Sequence, residues 1–214
     1  NQEDELDEVT LTQRRRASQK SLIQTQNILK VSSEELLKAA CCNLSESFET
    51  NPSIDVNFSD AITGTKQIKM LGLSSPYLLI SEENIPMVRG ASQAYGLTFT
   101  PGTWVESIQI AKGAGSVANG FESITGQINT ELKKPITDIP FFLNLFASDN
   151  GRYEMNTHFN NRFNDYWSTG FYIHGNKRSQ KFDNNDDGFL YPPLSDQINL
   201  MNRWQYTDFE KGWV

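Results

Sequence analysis

The sequence lacks the features that would make it a helical membrane protein or a disulfide-stapled fold. Its 214 residues hold no apolar run of about 18, so no transmembrane helix is expected. Barrel strands stay open as a possibility, because they are too short and too alternating to raise a hydropathy signal. Only two cysteines occur, adjacent as Cys41 and Cys42, which excludes a disulfide framework and a C-x-x-C zinc site. A bond between neighbours strains the intervening peptide, so both are expected as small buried apolar side chains. Positive charge is short as well: 19 basic against 26 acidic residues leave a net charge of −7, which argues against a nucleic-acid partner. The polar start Asn1–Asp7 does not read as a signal peptide. No nucleophile–base pair or carboxylate constellation stands out, so no catalytic residue, cofactor or metal is expected, and a hydrolase is the least expected class.

What is present is unevenly spread. Of 24 aromatic residues, 17 lie within 141–214, a composition shift that places a boundary near Lys133-Lys134-Pro135 and Asp138-Ile139-Pro140. Three parts follow, 1–21, 22–135 and 136–214.

The first part is charged and aperiodic, from Glu3-Asp4-Glu5 to Arg14-Arg15-Arg16, with too little apolar surface to offset the entropy of ordering. A flexible tail is expected, in which the short stretch around Val9 has the character to add as a strand to a partner's sheet edge. In the second part Ser32 and Glu35 make a capping box that opens a helix through about Ala40, and a second helix is expected over Leu44–Glu49, stopped by Asn51-Pro52. Beyond it the period drops to two. Ile54–Phe58, Gln67–Met70, Tyr77–Ile80, Ser107–Ile110 and Gln127–Thr130 read as strands, giving an α+β domain of about 110 residues.

In the third part Tyr153, Met155, Thr157, Phe159 and Phe163 alternate with Arg152, Glu154, Asn156, His158 and Arg162, and the pattern continues through Tyr166–Asn176 and Ile198–Tyr206. Asn164-Asp165 reads as a tight hairpin turn and Lys177–Asp196 as a long loop. Short turns on one side, long loops on the other and aromatic enrichment are what a transmembrane barrel requires. A soluble β-sandwich shows the same alternation with its apolar face buried, so the pattern leaves both open. Four strands from Phe141 onward cannot close even a barrel of about eight, so the expectation is a fragment or strands that pair with another polypeptide.

Three local motifs are set aside. Lys112 precedes Gly113-Ala114-Gly115-Ser116, whereas a phosphate loop places Lys after its last Gly. Asp183–Gly188 begins like a calcium loop, but position twelve is Leu194. His158 and His174 share a polar face without a third ligand at recognisable spacing, so both read as ordinary polar residues.

The stretch Trp104–Val117, with Ile108, Ile110, Lys112, Gly113, Gly115 and Ser116, followed by Gly120 and by Gly126-Gln127-Ile128-Asn129, resembles the closing motif of the plug domain of TonB-dependent outer-membrane receptors. Cys41–Phe48, Leu71-Gly72-Leu73 and Ile85-Pro86 also look like plugs of Bacteroidota receptors. Leu6, Asp7, Glu8, Val9, Thr10 and Leu11 sit where that family keeps its TonB box. The resemblance implies an α+β plug followed by antiparallel strands of an incomplete transmembrane β-barrel in the cell outer membrane. It also implies energy-coupled uptake of a scarce bulky nutrient such as a siderophore, a corrinoid or an oligosaccharide. The partners it implies are TonB in the periplasm, outer-membrane lipid, the extracellular nutrient ligand and a surface lipoprotein. Two other readings remain at this point, a soluble two-domain binding or adhesion protein with a β-sandwich, and a plug-like component of another protein's outer-membrane channel.

Overall fold

The computed structural model describes residues 18–20, 28–33, 36, 43–48, 54–58, 66–74, 77–89, 92, 95–115, 120, 122–183, 185–190, 193–208 and 211. The tail segment Leu6–Leu11, the cysteine pair and Ser116 lie outside them, as does most of the helix expected over 32–40.

Period-two alternation becomes three sheets. The largest has the order β1-β2-β8-β9-β6-β7, from β1 (Ser18–Lys20), β2 (Ile28–Ser32), β6 (Leu78–Glu82), β7 (Ile85–Pro86), β8 (Val105–Lys112) and β9 (Gly126–Leu132). Strands β8 and β9 pair antiparallel, and β9 pairs parallel with β6. Alternate residues of β8 and β9, Ile108, Ile110 and Ile128, are buried in one core with Leu78, Ile80, Trp104 and Val105. A small sheet of β3 (Asp55–Phe58), β4 (Lys66–Met70) and β5 (Leu73–Ser74) packs beside it, with Ile68 and Met70 in the same core.

The expected strands are all present. Strands β4, β8 and β9 run one to two residues further at one or both ends, β3 begins one residue later, β6 is shifted toward Glu82, and β1 arises within the segment expected as tail. The helix expected over Leu44–Glu49 is one turn, Leu44–Ser47, because Asn43 caps it and Phe48 already ends it. The Asn43 side chain accepts the Glu46 amide at 3.1 Å, the bond that an N-cap supplies.

The last four strands, β10 (Phe141–Ala147), β11 (Arg152–Arg162), β12 (Trp167–Arg178) and β13 (Ser195–Tyr206), form one antiparallel meander that does not close on itself. Strands β12 and β13 run further than expected, so the long loop shortens to residues 179–194. At the turn between β11 and β12 the Asn164 side chain accepts the Tyr166 and Trp167 amides at 2.9 and 2.8 Å.

The faces of this sheet settle what alternation alone leaves open. Phe141, Leu143, Leu145, Phe159, Ile198 and Leu200 are exposed, Ile198 at 74%. Glu154, Asn156, His158, Ser168 and His174 are buried on the opposite face. A soluble β-sandwich buries its apolar face, and this sheet buries its polar one, so the sandwich reading is corrected to a barrel wall that encloses polar groups. At the short-turn end Phe163 stacks on Trp204 with ring centroids 5.7 Å apart, and Trp167 packs on Tyr206 at 5.1 Å, so aromatic rings gather at this end of the wall.

Candidate functional site at the seam between the sheets

The buried polar face of the wall meets the first unit through a series of polar contacts. Near the short-turn end of β13, Arg203 Nη1 lies 2.9 Å from Glu83 Oε1. Glu83 and Asn84 form the β6–β7 turn, both with positive φ, 52° and 63°. Such backbone costs a non-glycine residue about 1–2 kcal/mol, so the turn persists because its surroundings hold it. Three groups do so: the Glu83 amide donates to Thr130 O at 2.9 Å, the Leu132 amide donates to Glu83 Oε1 at 2.9 Å, and Asn129 Oδ1 accepts the Asn84 amide at 2.9 Å. Burial alone would raise the Glu83 carboxyl. The Arg203 hydrogen bond, the Leu132 amide and the charges of Arg203 and Lys134 outweigh it and hold the group below the usual carboxylate range. Glu82 beside it goes the other way, raised by burial against the opposing bond from Thr100.

Where the chain passes from one unit to the next, Asp138 Oδ2 lies 2.8 Å from His158 Nε2 and Asp138 Oδ1 lies 3.8 Å from Lys133 Nζ. Burial opposes ionisation of Asp138, but the His158 bond and these two charges leave its carboxyl lowered. The His158 ring is stacked on Phe142 at 4.9 Å and tilted on Tyr172 at 4.9 Å, so its orientation is fixed by packing.

Toward the long-loop end, Thr103 Oγ1 donates to Asn156 Oδ1 at 3.0 Å, and His174 Nδ1 lies 2.7 Å from the same oxygen. Arg152 reaches Glu46 of the short helix at 3.2 Å and Glu154 at 3.4 Å. Gln197 donates to Thr98 O at 2.8 Å, and Asn199 donates to Phe99 O. Apolar contacts interrupt the series: Trp104 and Tyr172 form an edge-to-face pair at 6.0 Å, Tyr172 is buried in the common core, and Met201 packs against that core.

This mixture sets what the seam can do. The more exposed pair, Arg203 with Glu83, is worth about 0–1 kcal/mol, because water replaces either partner readily, whereas the pairs of His158 and Glu154 are buried and leave a polar group without its partner when broken. A continuous apolar interface would instead lose about 25 cal/mol for every Å² exposed on separation. The seam therefore holds the first unit in register mainly through polar contacts, with a small shared apolar patch at Trp104, Tyr172 and Met201.

The glycine-rich motif supports that unit from inside. Lys112 is exposed at the end of β8, and Gly113 turns the chain with φ of 92° while its amide donates to Thr125 O at 3.0 Å. The Gly115 amide donates to Ser123 O at 2.8 Å, and Gly120 lies in the loop that returns to β9. A Cβ on Gly126 would fall 2.5 Å from Ala111 O and against the Met70 sulfur, so close strand approach requires glycine there. Ile128 is fully buried, and Asn129, 8% exposed, accepts Ser81 Oγ at 3.0 Å besides the Asn84 amide. These residues thus brace the turn that carries Glu83. Glu46, Glu83, Asp138 and Arg203 are the site residues that sequence reasoning missed. Alternation marks the inward positions of Arg152 and His158, but nothing in the sequence pairs them with Glu46, 106 positions from Arg152, or with Asp138.

Among the described residues no group of three His, Cys, Asp or Glu stands close enough to hold a metal ion. The Asp183 carboxylate accepts the Asp187 and Gly188 amides at 3.3 and 3.0 Å, which folds the loop on itself.

Residues 20–127 match the family model described as TonB-dependent Receptor Plug Domain, half of the chain. No curated protein matches the sequence. Among solved structures, the open form of the ferric-catecholate import receptor Fiu from E. coli K12 is similar at 17% identity and a TM-score of 0.59, over 76% of this chain and 23% of that one. FpvA of P. aeruginosa, bound to heterologous pyoverdines, is similar at 17% identity and a TM-score of 0.64, over 78% of this chain and 24% of that one. The ferric yersiniabactin uptake receptor FyuA from Yersinia pestis is similar at 15% identity and a TM-score of 0.61, over 84% and 28%. The chain thus spans about a quarter of the length of the receptors it matches.

Proposed function

The chain belongs to the TonB-dependent receptor family through its plug domain, and from that premise we propose that it forms the gate and first wall strands of an outer-membrane importer for a scarce, bulky nutrient. The observation that carries this reading is the inversion of the wall sheet, apolar residues outward and polar residues against the plug. In it, residues 1–21 are a periplasmic tail whose last residues join the plug sheet as β1, 22–135 the plug and 136–214 the wall. Nutrient captured on the outside weakens the seam, TonB grips Leu6–Leu11 as an added strand, and force displaces the plug past the wall. Lys112, Gly113, Gly115, Ser116, Gly120, Gly126, Ile128 and Asn129 make up the plug motif of this reading, in which Gly126, Ile128 and Asn129 keep the plug sheet compact enough to move as a unit. The cargo falls in the class of siderophores, corrinoids or oligosaccharides, and a surface lipoprotein assists its capture. No covalent step is required of any residue.

The test is Val9→Pro in the full-length receptor, which removes one backbone donor from the added strand. The expected result is loss of binding to the periplasmic domain of TonB and loss of energy-dependent uptake, with the plug folded. Unchanged TonB binding would remove Leu6–Leu11 as the grip.

A further inference from the structure

The polar face that the wall turns to the plug is broken by one row. In register across the four strands it runs Phe142, His158, Tyr172, Met201. The row on its long-loop side is Asn144, Asn156, His174 and Asn199, and the row on its short-turn side carries Asn160, Gly170 and Arg203. The His158 ring packs on Phe142 and on Tyr172, each at 4.9 Å. Among the described wall residues only Tyr172 is a buried member of the core that the plug supplies, and Met201 packs against it. The strap that joins plug to wall, residues 133–140, lies on this row. Lys133 Nζ sits over the Phe142 ring at 5.0 Å, the Tyr172 hydroxyl lies 3.5 Å from Lys133 O, and the Lys133 amide donates to Trp104 O at 2.9 Å. Asn160 Nδ2 donates to Ile139 O at 2.7 Å. Gly170 makes room for the strap, because a Cβ there would fall 3.0 Å from Pro135 Cγ and 2.6 Å from the Tyr172 ring.

We propose that this row is the axis on which the plug swings against the wall, with Tyr172 as the peg that positions it. The proposal rests on the reading of the chain as gate and wall of an importer. Withdrawing Tyr172 exposes a whole aromatic side chain to water, which opposes it. The rim contacts, Arg152 with Glu46 and Gln197 with Thr98 O, exchange each other for water instead. The levers differ as well. At about 3.4 Å per residue, Arg152 lies about 20 Å along β11 from His158, and Arg203 about 7 Å along β13 from Met201. A turn of about 30° therefore parts the rim by about 10 Å and shifts the Glu83 pair by only about 3–4 Å. The gate opens at the long-loop rim and stays hinged where the strap leaves it.

The experiment uses the full-length receptor, with Cys41 and Cys42 replaced by alanine, in a planar bilayer. Urea below the unfolding midpoint of the wall loosens the plug, and ion conductance reads an open gate. Glu46→Cys and Arg152→Cys are joined across the rim by a short bis-methanethiosulfonate linker that reduction cleaves. The expected result is loss of conductance while the rim is linked and its return on reduction. Adding Tyr172→Ala to the linked rim should bring conductance back, because a plug without its peg opens from the other side. Tyr172→Phe, which keeps the ring, should leave the linked rim silent. Conductance through the linked rim of the otherwise unaltered receptor overturns the proposal, and this arm needs no change at Tyr172. Silence of the linked Tyr172→Ala variant after insertion overturns it too. A parent that never conducts refutes the gate reading itself, so the two failures are distinguishable.

Discussion

Arg203 of the last wall strand holds Glu83 at 2.9 Å, and Glu83 occupies a left-handed turn that its own sequence would not choose. The wall thus stabilises a turn of the plug, and the turn presents a carboxylate to the wall. Arg203→Ala should leave the carboxylate without its cation and loosen the turn by about 1 kcal/mol, because the pair is partly exposed. Hydrogen exchange at the Asn84 and Ile85 amides should speed up while the amides of β8 stay protected. Unchanged exchange would deny the wall any hold on the turn.

The same pair sets a pH dependence. The Glu83 carboxyl is lowered in the folded protein, so its contribution is present above the unfolded carboxylate value and fades as pH falls through the lowered folded value. Acidification should lower the protection factor at Asn84 in the parent, with the intrinsic exchange rate at each pH divided out, and the Glu83→Gln variant should show a flatter profile over that acid range. A parallel profile in both would assign the dependence to another group.

Asp138 stands where the plug hands over to the wall, and it faces a histidine that two aromatic rings hold in place. Asp138→Ala removes the acceptor and leaves the His158 nitrogen buried without it, at a cost of about 1–3 kcal/mol. Thermal unfolding followed by a probe on β11 should show a lower midpoint, and Asp138→Asn should recover part of the loss by restoring an acceptor.

Gly126→Ala forces a methyl group against the Ala111 carbonyl and the Met70 sulfur. Overpacking of this kind costs about 1–3 kcal/mol, and here it separates the start of β9 from the end of β8. Denaturant unfolding of the plug should shift to lower midpoint, whereas Gly175→Ala, into open space, should leave it unchanged.

On the outward face, Leu200→Arg should weaken membrane insertion by about 2–4 kcal/mol if its row lies near the bilayer midplane. Folding titrations into vesicles read this directly. Asn199, the neighbour that faces the plug, should tolerate a polar replacement in the same assay.

Much of the strand framework was legible, since β8, β9 and the wall strands announce themselves through period two. The medium on each face was not, because Phe159 alternating with His158 reads the same whether lipid or a protein core covers the phenyl ring. Only the burial of His158 and Glu154 against the plug decides it. The seam was illegible for a different reason. Glu83 is an ordinary hairpin acid and Arg203 an ordinary strand base, and their meeting is a product of tertiary assembly. The motif around Gly113 and Gly126 was visible as glycines, whereas the reason for Asn129 appeared only with the Asn84 amide beside its side chain.

The strand order bears on how tension would travel. Strand β1 is an outermost strand joined to β2 by three paired positions, with Ser18 opposite Val31. A pull on the chain before Ser18 meets β1 at the same end where β2 leads on into the plug, so its bonds open one after another, as a zipper does. The load then passes to Ile28, at the far end of β2, whose five positions against β8 resist together as a lap joint. The sheet is geared for two thresholds, a soft one that lengthens the tether and a stiff one that moves the body, and single-molecule pulling from the amino-terminal side should record them in that order.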